Sequence, residues 1–575
     1  MKEAACPLQR GTKQPQYFVY HSPFTIHHYS KILIFGLQVT TMGDIVFCAF
    51  YLLLFSFIIL QARLFKLPGV NTKLPLITFY LKLVFGAALW YIYTHHYKNR
   101  YSADIFKYFD DSKYMYQSIH RDTADFFRML FGIDDSGPRI QGYYQSMVSW
   151  VNGHNSTLYN NSHLIIRLNA VLMPFSQGHY AVHVLFFCFI AFVGLTFLYK
   201  AFYPYLAGKA TLLFAAIFLF PSVLLWSSGI LKESLVFMGL GLSIYYFRRI
   251  LEPKKTNQLI NVLLFVAGIS LLFEVKAYVL LCIIPGFISE TLISKVKIAA
   301  SRPWLTYLVV AAVYLGIGLN VNKVNKNEDP LRTLSDKQKE FNRLAKGGIY
   351  LQQANNEYQY AYVSADDSVN ILPANKFADS LLKYNGIQYL TTSAFCYAEE
   401  TGKRIAPYTL RNGTKFRLIR SLHEDTLNMV AIADTPVYRL DTYIEPAKSA
   451  VYIPPIQPTV TGLITTIPNA LLIALIRPYP SEISSKALLI YTAENLFILL
   501  LIILSLVFIK RQNPNNPIAL FCLSYCMLML ILIGVSTPMY GGIERYKSVV
   551  IPFMLILLLL IYDKDKLNRL LKNKK

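Results

Sequence analysis

Five short stretches hold the residues whose types and spacing could do chemistry. The first is Tyr108-Phe-Asp110-Asp111-Ser-Lys-Tyr114-Met-Tyr116. Adjacent carboxylates near a low-dielectric surface can have one raised pKa, as a general base needs. They can also hold a divalent metal through oxygen ligands, or cap a helix as a solvated acidic turn. The second stretch is Pro221-Ser-Val-Leu-Leu-Trp226-Ser-Ser-Gly229-Ile-Leu-Lys232-Glu233, set between two apolar runs. A charged pair at the tip of a membrane hairpin is costly, which makes it a functional-site candidate. Pro221 and Gly229 interrupt the helix there, as happens where backbone lines a polar cavity instead of lipid. The third, Phe273-Glu274-Val-Lys276-Ala-Tyr278, is another charged pair inside an apolar hairpin. Its plain reading is mutual neutralisation.

The fourth stretch, Leu475-Ile-Arg477-Pro478-Tyr479-Pro480, ends an apolar run from Thr465 that is too short to span a bilayer and reads as a half-helix. The fifth is Gly541-Gly-Ile-Glu544-Arg545-Tyr546-Lys547, just before the last apolar run. Together these stretches supply Lys232, Lys276, Arg477, Arg545 and Lys547. Arginine suits bidentate phosphate binding and lysine gives a point charge. A lipid phosphate or pyrophosphate headgroup accounts for so many cations on one face. Snorkelling to the interface accounts for one or two of them.

The elements that must position these residues are membrane helices. The chain has 575 residues, 54% of them apolar and only 15% charged. Apolar runs near 44–61, 75–93, 180–199, 210–226, 235–247, 258–273, 277–293, 304–320, 487–509, 517–535 and 548–562 approach the roughly 20 residues that cross a bilayer. The expected fold is therefore an all-α polytopic membrane protein with about eleven transmembrane helices. Lys82 is the mid-span charge that this pattern offers.

One alternating set of loops is rich in Lys and Arg: Arg63/Lys66/Lys73, Lys200/Lys209, Arg248/Arg249/Lys254/Lys255, Lys295/Lys297/Arg302, Lys510/Arg511 and the tail 563–575. The Lys/Arg bias places this set, and with it the C-terminus, in the cytoplasm. The formal charge of +23 then reflects topology and not a nucleic-acid partner. Alternation puts 94–179, the 227–234 tip, the 274–276 turn, 321–486 and 536–547 outside, and these hold all five stretches. The chain divides into a polar extension over 1–41, expected to be disordered or an over-long start ahead of Met42, and a transmembrane region over 42–320 with its outer loop at 94–179. A small mixed outer domain over 321–464, a second transmembrane region over 465–562 and the basic tail follow.

Several classes are excluded. There is no phosphate-cradling glycine loop and no dinucleotide fingerprint, and no nucleophile elbow or HExxH motif. The cysteines show neither zinc spacing nor a disulfide framework. His95, His96, His163, His179 and His183 sit at membrane edges and read as interface residues.

The Asp110-Asp111-Ser-Lys-Tyr114 stretch in the first large outer loop resembles the acidic motif of GT-C glycosyltransferases. The hairpin from Pro221 to Glu233 and the Gly-Ile-Glu-Arg-Tyr-Lys stretch before the last helix are similar to bacterial envelope-polysaccharide proteins of the Bacteroidetes type. The resemblance covers roughly 75–320 and 465–562. It departs from the GT-C pattern in having two helices ahead of the acidic loop. It implies a sugar donor on polyprenyl phosphate or pyrophosphate, a glycan or lipid acceptor, and reaction at the outer face of a bacterial cytoplasmic membrane. It implies Asp110 or Asp111 as base or metal ligand, and Glu233 orienting a cation or the acceptor. Lys232, Lys276, Arg477, Arg545 and Lys547 would hold the lipid phosphate, and Tyr114, Tyr116 and Trp226 would lie against sugar. No cofactor is implied beyond a divalent metal. An O-antigen-type polymerase or ligase, and a flippase for a lipid-linked glycan, are the alternative readings.

Overall fold

The computed structural model describes residues 32–34, 37–39, 42–96, 100, 103–150, 162–252, 257–320, 329–346, 348–352, 358–363, 369–373, 408–409, 415–420, 427–431, 439–444, 447, 449–483, 485–509, 516–563 and 566. The extension over 1–41 lies outside these, apart from a paired β1 (Ile32–Ile34) and β2 (Leu37–Val39). Among the described residues, seven helices are long and apolar enough to cross a membrane. They are Gly43–Gln61, Leu74–His95, Tyr180–Phe218, Lys232–Leu251, Gln258–Lys295, Leu488–Val507 and Pro517–Ser536.

Two of these segments fold back on themselves. Within Gln258–Lys295, Lys276 has φ −151° and ψ 78°, outside the helical region. Phe265 and Phe287, placed symmetrically about Lys276, have ring centroids 5.7 Å apart. A continuous helix would separate them by about 33 Å. The segment is thus a helical hairpin with Lys276 at its tip. Likewise α7 (Tyr180–Leu206) and α8 (Ala210–Phe218) double back, since the rings of Phe192 and Phe218 lie 5.5 Å apart. The preceding helices are α1 (Met42–Gln61), α2 (Leu74–His96), α3 (Asp104–Gln117), α4 (Thr123–Phe131), α5 (Pro138–Gln145) and α6 (His163–Ser176).

The centre of the bundle is the pair formed by α7 and α10 (Lys232–Leu251), which follows the short α9 (Pro221–Trp226). Gly194 meets Gly241, and the Ala201 carbonyl accepts from Arg248 at 2.8 Å. The same offset at both places makes these helices parallel. A Cβ on Gly241 would come within 2.0 Å of the Gly194 carbonyl oxygen, so glycine is what lets the two backbones touch. Both arms of the hairpin α11 (Gln258–Lys295) lie along α10. Phe247 contacts Phe265 on one arm and Phe287 on the other. As a result Lys276 at the hairpin tip and Glu233 at the start of α10 share one end of the bundle.

That end also carries α3 to α6, packed over the start of α7. Buried His183 on α7 is held between Asn169 Oδ1 and Ser176 Oγ of α6, each at 2.7 Å. The residue expected at an interface is therefore a satisfied link between helices. After α12 (Lys297–Ser301) and α13 (Pro303–Leu319), α14 (Pro330–Lys346) docks on the same end through Gln338. Its amide donates to the carbonyls of Pro454 and Val535 and accepts from the Ile456 amide.

Within 321–464 the described residues include α14 and two small sheets. The strands β3 (Gly348–Gln352), β4 (Tyr358–Val363), β5 (Val369–Pro373) and β9 (Arg439–Ile444) form an antiparallel sheet in the order β5-β4-β3-β9. A second antiparallel sheet is made of β6 (Tyr408–Thr409), β7 (Lys415–Arg420) and β8 (Leu427–Ala431). The chain ends with α15 (Val460–Leu475), α16 (Lys486–Val507), α17 (Pro517–Ser536), α18 (Tyr540–Lys547) and α19 (Ile551–Ile561).

Candidate functional site

Four of the residues singled out from sequence come together at the loop-rich end, brought there by three separate elements. Glu233 sits in the first turn of α10, Lys276 at the tip of α11 and Arg545 on α18. Glu233 Oε1 accepts from Lys276 Nζ at 2.5 Å and from Arg545 Nε at 2.7 Å. Glu233 is 0% exposed, the Lys276 side chain 4% and the Arg545 side chain 13%. Lys232, also buried, reaches Ser162 Oγ at 3.1 Å and lies 5.3 Å from the centre of the Tyr108 ring. Aromatic rings also flank Lys276 and Arg545. Lys276 Nζ is 4.3 Å from the Tyr546 ring centre and Arg545 is 6.0 Å from that of Trp226.

The second carboxylate is one that sequence reasoning missed. Asp104 opens α3, and its Oδ2 accepts from the other arm of Arg545 at 2.7 Å. Burial alone would raise its carboxyl, but Arg545 and Lys107 outweigh burial and hold it at about 2. Its side chain is 34% exposed, so it is the carboxylate of this group that an incoming molecule can reach. Tyr108, one turn further along α3, faces the same cluster, and that spacing is the sequence signal that would have found Asp104. Among the described residues the group contains three cations, Lys232, Lys276 and Arg545, against two carboxylates, Asp104 and Glu233. Two of its buried polar atoms have no hydrogen-bond partner: Glu233 Oε2 and Trp226 Nε1. An unfilled acceptor and an unfilled donor beside an excess cation suit a polar ligand or water completing the set.

Asp110 and Asp111 stand apart from this group. Arg100 grips Asp110 with Nε at 2.7 Å and Nη2 at 2.9 Å. Asp111 is buried and accepts the backbone amides of Val148 and Ser149 at 2.8 and 2.7 Å, one on each oxygen. Burial pushes its carboxyl up to about 6 although the Ser149 and Val148 amides oppose it. This carboxylate is a clamp holding the 148–149 loop on α3. Both oxygens face N–H donors, and no group of three or more metal-binding side chains occurs among the described residues. Asp111 thus anchors the 148–149 loop, and Asp110 is paired with Arg100. Tyr114 is 41% exposed, and Tyr116 packs edge-on against Phe126 and His120, so neither lines the cluster.

Arg477 and Lys547 are also diverted, into a second network on the other side of α18. Arg477 is paired with Glu482 through Nε and Nη2. Lys547 Nζ donates to Asn495 Oδ1 at 2.5 Å and to Glu544 at 2.7 Å. Asn495 Nδ2 in turn bridges the Arg477 carbonyl at 2.8 Å and Glu544 at 2.9 Å. Beside it, buried Glu494 accepts the Ser222 amide at 3.0 Å. Glu494 and Asn495 lie within the apolar helix α16 and were not anticipated. Lys82 is therefore not the sole mid-span charge. It is buried, and its Nζ is satisfied by the Ser227 carbonyl at 2.9 Å, Ser227 Oγ at 2.5 Å and Ser228 Oγ at 3.1 Å. That arrangement anchors the 227–229 turn to α2.

No family model, no curated protein and no solved structure matches this chain.

Proposed function

We propose that this chain is an integral membrane glycosyltransferase of the GT-C kind. It moves a sugar from a polyprenyl phosphate or pyrophosphate carrier to an envelope glycan or lipid acceptor. In this reading the loop-rich end faces outward from a bacterial cytoplasmic membrane and the C-terminus is cytoplasmic. The two folded-back segments and the short helices α13 and α19 then bring the crossings to eleven.

The observation that carries the reading is the convergence of Asp104, Lys232, Glu233, Lys276 and Arg545 at one end of an apolar bundle. Glu233 fixes Lys276 and Arg545 in place through one oxygen. Lys232 and the outer edge of Arg545 provide the positive charge that receives the lipid phosphate. Asp104 stays ionised at neutral pH and is open to an acceptor hydroxyl. Asp104 orients the acceptor hydroxyl; the acceptor oxygen attacks the anomeric carbon and its proton passes to the departing phosphate oxygen. The bond from that carbon to the phosphate oxygen breaks, with the electron pair left on the phosphate. Fixed cations facing that developing charge are the kind of preorganised electrostatics that is usually the largest catalytic term. In this reading Asp104, earlier on the same helix as Asp110 and Asp111, is the carboxylate that faces the acceptor.

The test is release of polyprenyl phosphate from a panel of sugar-linked polyprenyl phosphates by the protein in liposomes. Asp104→Asn and Arg545→Gln should abolish release, while Asp110→Asn retains at least about half. Full activity in Asp104→Asn would remove Asp104 from the chemistry. Carrier movement across the bilayer without sugar release would favour the flippase.

A further inference from the structure

The opposite end of α10 holds a second collection of cations, and these surround a cavity. The cavity is about 410 Å³ and is lined by Lys66, Lys200, Arg248, Arg249, Tyr205 and Glu252, among others. Three elements contribute: the link between α1 and α2, the last turns of α7, and the last turn of α10. The lining holds four cations against one carboxylate, and with Arg248 paired to Glu290 the cavity keeps a net positive charge from Lys66, Lys200 and Arg249 against Glu252. Arg248 is the fixed wall. Its Nη1 donates to the Ala201 carbonyl at 2.8 Å and its Nη2 to Glu290 at 3.3 Å. The Phe202 and Tyr205 rings hold its guanidinium at 4.5 and 4.9 Å. Arg249 and Lys66 have no such anchoring among the described contacts, and Lys200 makes one bond, to the Arg63 carbonyl at 3.2 Å.

The positive-inside bias explains cations scattered over this face. It does not explain four of them converging on one concave space at the membrane boundary. Basic pockets between transmembrane helices are a recurring way to hold anionic headgroups. We propose that this cavity binds the phosphate of an anionic phosphoester, most simply the headgroup of a membrane phospholipid. The site is independent of the sugar-transfer reading, because Arg248 and Arg249 sit about 22–24 Å along α10 from Glu233.

The full-length protein in detergent, titrated with phosphatidylglycerol, phosphatidylcholine and soluble glycerol phosphate and followed by native mass spectrometry, tests this. The wild type should retain phosphatidylglycerol about tenfold or more tightly than phosphatidylcholine. The triple variant Lys66→Gln, Lys200→Gln, Arg249→Gln should lose most of that preference, since each cation near an anionic lipid contributes roughly a several-fold effect. Arg248 stays in place to preserve packing, and unchanged thermal unfolding of the triple variant confirms that it is folded. Binding of glycerol phosphate that competes with the lipid would support the site and name a soluble phosphoester as its source. A triple variant that keeps the full preference, or a wild type that shows none, would overturn the proposal.

Discussion

Replacing Glu233 by Gln should be among the most damaging single changes in the membrane region. Its carboxylate is fully buried and is the shared acceptor for Lys276 and Arg545, so the change leaves Lys232, Lys276 and Arg545 facing Asp104 alone. The amide oxygen can still accept one bond, but its nitrogen turns a donor toward two cations. Breaking a buried ion pair from one side costs about 3–5 kcal/mol. Arg545→Gln alone should cost a similar amount, because Glu233 keeps only Lys276 while Asp104 loses its guanidinium. In the double variant neither side leaves an unmatched partner of the other. The two losses should therefore fall short of additivity by about 1–3 kcal/mol. Unfolding in mixed micelles by sodium dodecyl sulfate, followed by tryptophan fluorescence, measures all four corners of the cycle. Additive losses within about 0.5 kcal/mol would refute the argument that these charges act as one unit.

Other changes follow from the same geometry. Asp111→Ala should free the 148–149 loop and raise its cleavage by added protease several-fold, while Asp111→Asn, which keeps one acceptor, has a smaller effect. The link between Asp104 and Arg545 has a pH signature set by a depressed carboxyl. Its contribution to stability is complete above pH ~4 and is lost as pH falls through about 2. Acid unfolding of Asp104→Asn should lack that component. Gly241→Ala would drive a methyl into the Gly194 carbonyl and should cost about 1–3 kcal/mol or more, read as a lower unfolding midpoint.

The membrane character, the hairpin at Lys276 and the candidacy of Lys232, Glu233, Lys276 and Arg545 were legible in the sequence, because charges inside apolar runs are expensive and so stand out. Their pairing was not. Lys276 was read against its neighbour Glu274, but it reaches across to Glu233, a contact set by how α11 packs on α10. Asp110 and Asp111 drew attention as a doublet, and what decides their role is the 148–149 loop that folds onto Asp111 and the nearby Arg100. Asp104 drew none, since a single acid opening a helix usually serves as a cap; only the position of α18 gives it Arg545. Glu494 and Asn495 were overlooked inside a run whose mean composition is apolar, although a carboxylate there is as costly as Lys82.

Whether the cluster around Arg545 holds a lipid phosphate is tested most directly by comparing polyprenyl phosphate with the uncharged polyprenol of equal length. Measured on the full-length protein by native mass spectrometry, the phosphate should bind at least about tenfold more tightly, and Lys232→Gln should erase most of that difference while leaving polyprenol binding unchanged. Equal binding of the two lipids, or a phosphate preference untouched by Lys232→Gln, would contradict the account.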